Sequence, residues 1–229
     1  MLTALSTIQR RLAGVALLAF VGLLYAQDAV DPTDGLKNAE RVAAAAAHPN
    51  RLLAAAVLLF LSSAAMLAAI AVVLSLVRRR GKWLARIGAG LGILGALGHV
   101  AVATYYAALS GLPGGDPSQM TAYLDRLDSS ATAGILFVPA IAGFALGVFL
   151  MGFALARSHV LPAWAAAVTA SAIAIEVLHV QPWPQIDLAQ TIAVVPFVWL
   201  ALRLFEADGP ARHTSTRLGQ AATIDYGRQ

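Results

Sequence analysis

An all-α, polytopic membrane helix bundle is predicted by three features of the sequence. The chain of 229 residues is 59% hydrophobic and 12% charged, with a mean hydropathy of +0.73. A soluble domain of this size has no interior large enough for that much apolar surface. The apolar residues fall into six runs at about 9–27, 52–77, 84–110, 131–156, 162–180 and 187–205, each long enough to cross a bilayer. The charges alternate between the two sides: 12 of the 16 Lys and Arg fall on one set of loops, span ends and tails, and 8 of the 12 acids on the other. This is the positive-inside bias. With six transmembrane helices it places both N- and C-termini in the cytoplasm. The net charge of +4 forms no phosphate-binding stripe, so nucleic acid is not an expected partner.

The first run, LAGVALLAFVGLLYAQ, follows Arg10 and Arg11 and could pass for a signal peptide, but no small-x-small cleavage site precedes a soluble domain. It reads as the first span. The second ends at the basic block Arg78-Arg79-Arg80-Gly81-Lys82. The third carries Gly88, Gly92, Gly95 and His99 at spacings of four, three and four, with Tyr106 continuing the stripe. Small residues let helix backbones approach closely in lipid, so this stripe is expected to face neighbouring helices and to turn His99 inward. The fourth repeats the device with Gly143 and Gly147 and holds Pro139, while the sixth holds Pro196. Both prolines are candidate kinks. Residues 1–206 thus form a single transmembrane bundle, and residues 207–229, polar and aperiodic, are expected to be a disordered cytoplasmic tail.

Two outer loops read as short interfacial helices. Residues 34–47 (DGLKNAERVAAAAA) are helix-forming up to Pro49, with Asn50 placed to cap the next span. Residues 116–128 (DPSQMTAYLDRLD) begin with an N-cap Asp and a Pro at the first helical position. Met120, Tyr123, Leu124 and Leu127 then make one apolar stripe. Such helices either seal the bundle or form a lid over a pocket open to the outer leaflet.

Chemistry is expected around Glu176, an acid inside the fifth run, AWAAAVTASAIAIEVLHV at residues 163–180. A carboxyl in hydrocarbon is costly, so it faces a partner, a cavity or a substrate. No Lys or Arg lies at its depth, and apolar surroundings favour the neutral carboxylic acid, a competent general acid. His179 follows one turn later on the same face, and His99 and Tyr106 are the other candidate catalytic groups. Phe137, Phe144, Trp183, Phe197 and Asp187 are candidate substrate-binding residues, aromatic faces being able to stabilise a cation in a dry site. Glu176-x-x-His179 also has carboxylate–imidazole metal-ligand spacing, and His99 with His179 could hold haem. A dinuclear site lacks its second pair, and no metal or cofactor is the leading expectation. A protonated Glu176 serving only as interhelical glue is the plainer alternative.

Other chemistries are excluded. The chain has no cysteine, hence no disulfide, thiolate site or iron–sulfur cluster. It has no Gly-x-Ser-x-Gly elbow, phosphate loop, His-Glu-x-x-His or acidic pair suited to diphosphate–magnesium binding.

The short basic N-terminus, the basic turn Arg78–Lys82 and the Leu-Pro-Ala-Trp start of the fifth span (Leu161–Trp164) resemble a broad set of uncharacterised six-span bacterial integral membrane proteins. That resemblance implies a multi-pass protein of the bacterial inner (cytoplasmic) membrane. A thinner likeness, carried by the intramembrane acid, is to small integral-membrane terpene cyclases. These protonate an alkene or epoxide with a carboxylic acid in an apolar bundle; the better-known ones have seven spans and a pair of acids. The expected function is therefore an acid-catalysed cyclase or isomerase of a lipophilic, isoprenoid-like small molecule. The alternatives are a small transporter or proton-coupled carrier and a non-catalytic membrane subunit docking through its glycine stripes.

Overall fold

The computed structural model describes residues 6–206 apart from Arg79, residues 112–114 and residues 179–183. At 132–133, 136–137, 139–140, 172–178, 184–191 and 193 only the backbone is described. Among the described residues the fold is all-helical: α1 (Thr7–Val30), α2 (Asn38–Ala47), α3 (Pro49–Leu76), α4 (Lys82–Ser110), α5 (Pro117–Asp128), α6 (Ala131–Val138), a π-helical turn (Pro139–Gly143), α7 (Phe144–Arg157), α8 (Ala163–Leu178) and α9 (Pro184–Glu206). Three of these, α1, α3 and α4, are long and apolar enough to cross a membrane. The expected tail at 207–229 lies outside the described residues.

Six elements pack as a closed ring, each against the next: α1 on α3, α3 on α4, α4 on α7, α7 on α8, α8 on α9, and α9 back on α1. The interior is filled by Leu17, Phe20, Met66, Ile70, Phe144, Met151, Val194, Phe197 and Leu200. The outward faces carry Phe60, Leu67, Ile93, Leu97 and Leu202, all exposed, a covering suited to lipid rather than water.

The tightest contact lies between α4 and α7. A Cβ added at Gly95 would sit 2.6 Å from the Phe144 amide nitrogen, and one at Gly147 would sit 2.6 Å from that of Gly92. Gly88 abuts Gly147 and Met151 in the same way. The glycine stripes therefore bring backbone against backbone within this chain, where dispersion at short range replaces the absent hydrophobic drive. The docking face imagined for a partner subunit is occupied internally.

The ends follow local chemistry. Ser6 and Gln9 form a capping box that starts α1. Gly81 holds φ +81° at the start of α4, and a Cβ there would meet the Ala154 carbonyl oxygen at 2.8 Å. Only glycine suits both demands, and it ties the basic turn to the end of α7. The Asp116 cap is as expected, its carboxylate accepting from the Ser118 amide at 2.9 Å. Two expectations are corrected. The first loop helix begins at Asn38, not 34, because the Asp31 carboxylate accepts from both the amide and the hydroxyl of Thr33, each at 2.7 Å. That local bonding competes with helix. Asn50 caps nothing; His48 occupies the N-cap of α3 and Pro49 its first turn. Pro139 opens a π-turn, a usual response to a lost helix hydrogen bond.

Gly95→Leu should force α4 and α7 apart. Overpacking of this kind costs about 1–3 kcal/mol or more, read as a lowered thermal midpoint in detergent. Gly90→Ala, where nothing lies within 4 Å, should leave the midpoint unchanged or slightly raised, since alanine favours helix by up to about 1 kcal/mol. Equal behaviour of the two variants would contradict this packing.

Candidate functional site

One turn beyond Gly95, His99 turns inward from α4 toward Phe144 at the start of α7. Its ring lies 5.2 Å from that of Phe144, centroid to centroid, and Phe144 lies 6.1 Å from Phe20 of α1. The inward turn of His99 is therefore present. Its Nδ1 is buried and has no hydrogen-bond partner among the described residues. A nitrogen so placed carries a desolvation penalty of about 1–3 kcal/mol unless a water, a ligand or a further side chain meets it. Phe197, fully within the core, belongs to the same apolar cluster as Phe144 and Phe20.

Glu176 is the third residue from the end of α8. The buried positions of that helix, Ala165 and Thr169, recur at helical spacing, and position 176 falls two turns beyond Thr169 on their stripe. The Thr169 side chain packs against Gly152 of α7, where an added Cβ would meet its hydroxyl at 2.9 Å. The side chains of Glu176, Phe137 and Asp187 lie outside the described residues, as do His179 and Trp183 altogether.

Tyr106 does not join His99. Two turns further along α4, it stands beside the Asp31 carboxylate at the end of α1. Its neighbour Tyr105 stands beside Arg41 of α2. Arg41 donates to Asn38 Oδ1 at 3.3 Å and to the Leu36 carbonyl at 3.2 Å. Asn38 then reaches α5, its Nδ2 donating to Asp125 Oδ1 and Asp128 Oδ2, both at 2.9 Å. A polar network in two parts thus lies at the Val30 end of α1 and the Ser110 end of α4: Tyr106 beside Asp31, and Tyr105 beside Arg41, which bonds Asn38 and through it α5. Sequence reasoning missed it, although the Asp-Pro-Thr turn at 31–33 is a local signal for a fixed carboxylate.

The network holds α5 over a cavity of about 510 Å³. Its walls are the apolar stripe of α5 (Met120, Leu124, Leu127) and the outer end of α4 (Tyr105, Ala108, Leu109). The stripe expected from the sequence is thus a cavity wall. Asp116, Gln119 and Tyr123 supply its polar groups. Hydrogen bonds from the amide and hydroxyl of Ser118 hold the Asp116 carboxyl below the usual carboxylate range, so it is ionised at neutral pH. Among the described residues no three His, Asp or Glu side chains gather as metal ligands.

Asn38→Ala should release α5 while leaving the ring intact. Exposed hydrogen bonds to charged groups contribute about 1 kcal/mol or somewhat more each, so hydrogen exchange across residues 117–128 should rise several-fold, with exchange in α4 unchanged. Unaltered exchange in α5 would mean that the two aspartates do not anchor it. No protein-family model matches this chain, and searches of curated proteins and of solved structures found no match either.

Proposed function

We propose that this protein is a six-span enzyme of the bacterial inner membrane, with both termini in the cytoplasm, that acts on a lipophilic, isoprenoid-like substrate with Glu176 as general acid. The topology is supported by the gathering of basic residues at one end of the ring. Gly14 packs against Phe205 and Gly81 against Ala154, which brings Arg10 and Arg11, the turn around Arg80 and Lys82, Arg157 and Arg203 to that end.

The observation that carries the chemical reading is the buried Nδ1 of His99 beside Phe144, without a hydrogen-bond partner among the described residues. α7 and α8 are joined by a short turn and run in opposite directions. From the Thr169–Gly152 contact, seven residues along α8 and eight back along α7 each cover about 10–12 Å of helix. Position 176 therefore comes to about the level of Phe144. An acid on the inward stripe of α8 and an imidazole on the inward stripe of α4 would then address the same part of the ring, with Phe144 between them and Phe20 and Phe197 nearby. In such a site the Glu176 carboxylic acid transfers its proton to an alkene or epoxide, and His99 is a positioning residue that accepts or relays a hydrogen bond. The aromatic faces stabilise the positive charge that develops.

A carrier would need a polar route through the cytoplasmic half. There Ser63 and Thr169 donate their hydroxyls to the Leu59 and Ala165 carbonyls of their own helices. Ser62 remains a buried hydroxyl without a partner among the described residues. The rest of that interior is aliphatic, which favours the enzyme reading.

Glu176→Gln keeps shape and polarity and removes the transferable proton. Membranes carrying the variant should convert an isoprenoid alkene or epoxide about 10²–10⁴ times more slowly than those carrying the wild type, measured by mass spectrometry of extracted lipids. Full turnover by the variant would remove the acid role.

A further inference from the structure

We propose that the cavity between α5 and the outer end of α4 is a binding site for a single-chain amphiphile with a cationic, amine-type head. The proposal goes beyond the role of Glu176 and stands on different residues. The size of the cavity, about 510 Å³, lies in the usual range of small-molecule sites. Its body is apolar: Leu109 and Leu124 are almost wholly buried and Met120 packs on the same cluster. That surface accepts an acyl or prenyl chain.

Among the described residues of its wall Asp116 is the one charged side chain, Gln119 stands one turn from it on α5, and Tyr105 and Tyr123 are aromatic. An ammonium can pair with the carboxylate and lie against the rings, whereas an anionic head would meet like charge. Asp125 and Asp128, held on the same helix by Asn38, add to the negative potential. Of the nearby cations, Arg41 is turned to Asn38, Leu36 and Tyr105, and Arg126 folds back to donate to the Ala122 carbonyl of its own helix. Position also fits: the site is at the end of α4 opposite the basic turns, and α5 is amphipathic, so a lipid-borne molecule reaches it without crossing water.

The test uses the full-length protein in vesicles of phosphatidylcholine and three photoreactive probes of equal chain length: a diazirine-bearing primary amine, alcohol and carboxylate. Mass spectrometry maps the adducts. The amine should label residues 117–127 and the outer end of α4, and the carboxylate should label them roughly fivefold less, the upper range for one exposed charge pair. Ala108→Trp, which fills the cavity from an exposed position of α4, should abolish this labelling. Asp116→Asn, which retains a competent helix cap, should bring the amine down to the level of the alcohol. Equal labelling by the carboxylate, adducts spread evenly over the lipid-facing surface, or labelling indifferent to both variants would each overturn the proposal. Activity of Glu176→Gln does not enter any of these outcomes, so the two readings fail separately.

Discussion

The backbone contact of α4 with α7 is the constraint on which the rest of the structure depends. A carbon added at Gly95, Gly143 or Gly147 would come within 2.6–2.8 Å of backbone on the facing helix, and Gly88 and Gly92 line the same contact. Between two apolar helices in lipid there is no hydrophobic gain to hold them, so closeness of approach is what holds them. The contact fixes the rotation of α4 about its own axis. From that rotation follow the inward place of His99, the meeting of Tyr106 with Asp31, and the face that α4 turns toward α5. α7 in turn receives α8 through Gly152 and Thr169, so the same contact also sets the stripe on which position 176 lies.

The two halves of the bundle obey different rules. Toward the basic end the interior is aliphatic, and the described hydroxyls there mostly bond to their own helices. Toward the opposite end, carboxylates, a guanidinium, an amide and two phenols form a polar network in two parts, drawn from four helices. Such a network costs conformational freedom and desolvation and returns modest net energy. Its evident consequence is geometric: it places an amphipathic helix over a cavity.

Much of this was legible in the sequence. Run length and composition gave the helices, because lipid leaves the backbone no other way to satisfy its hydrogen bonds. The glycine spacing gave the face of α4, since only small residues permit that approach. Asp116-Pro117 gave the start of α5. The Asp31–Tyr106 contact and the Asn38–Asp125–Asp128 bonds were not legible, because the partners come from residues 75 to 90 positions apart whose meeting depends on how the ring closes. The shorter α2 was missed for a local reason, the capture of the Thr33 amide and hydroxyl by Asp31. Tyr106, a candidate catalytic group from the sequence, stands beside Asp31 at the end of α1, a meeting that periodicity within one helix cannot reveal.

The central claim is that an uncharged carboxylic acid at position 176 addresses the interior of the ring near His99. Infrared difference spectroscopy of the purified protein at neutral pH tests it most directly, because a protonated carboxyl in apolar surroundings has its own carbonyl stretch. The account predicts such a band in the wild type, its disappearance in Glu176→Gln, and a shift of the band when His99 is replaced by Phe. A wild-type spectrum without it, or one unchanged by removal of the Glu176 carboxyl, would contradict the account.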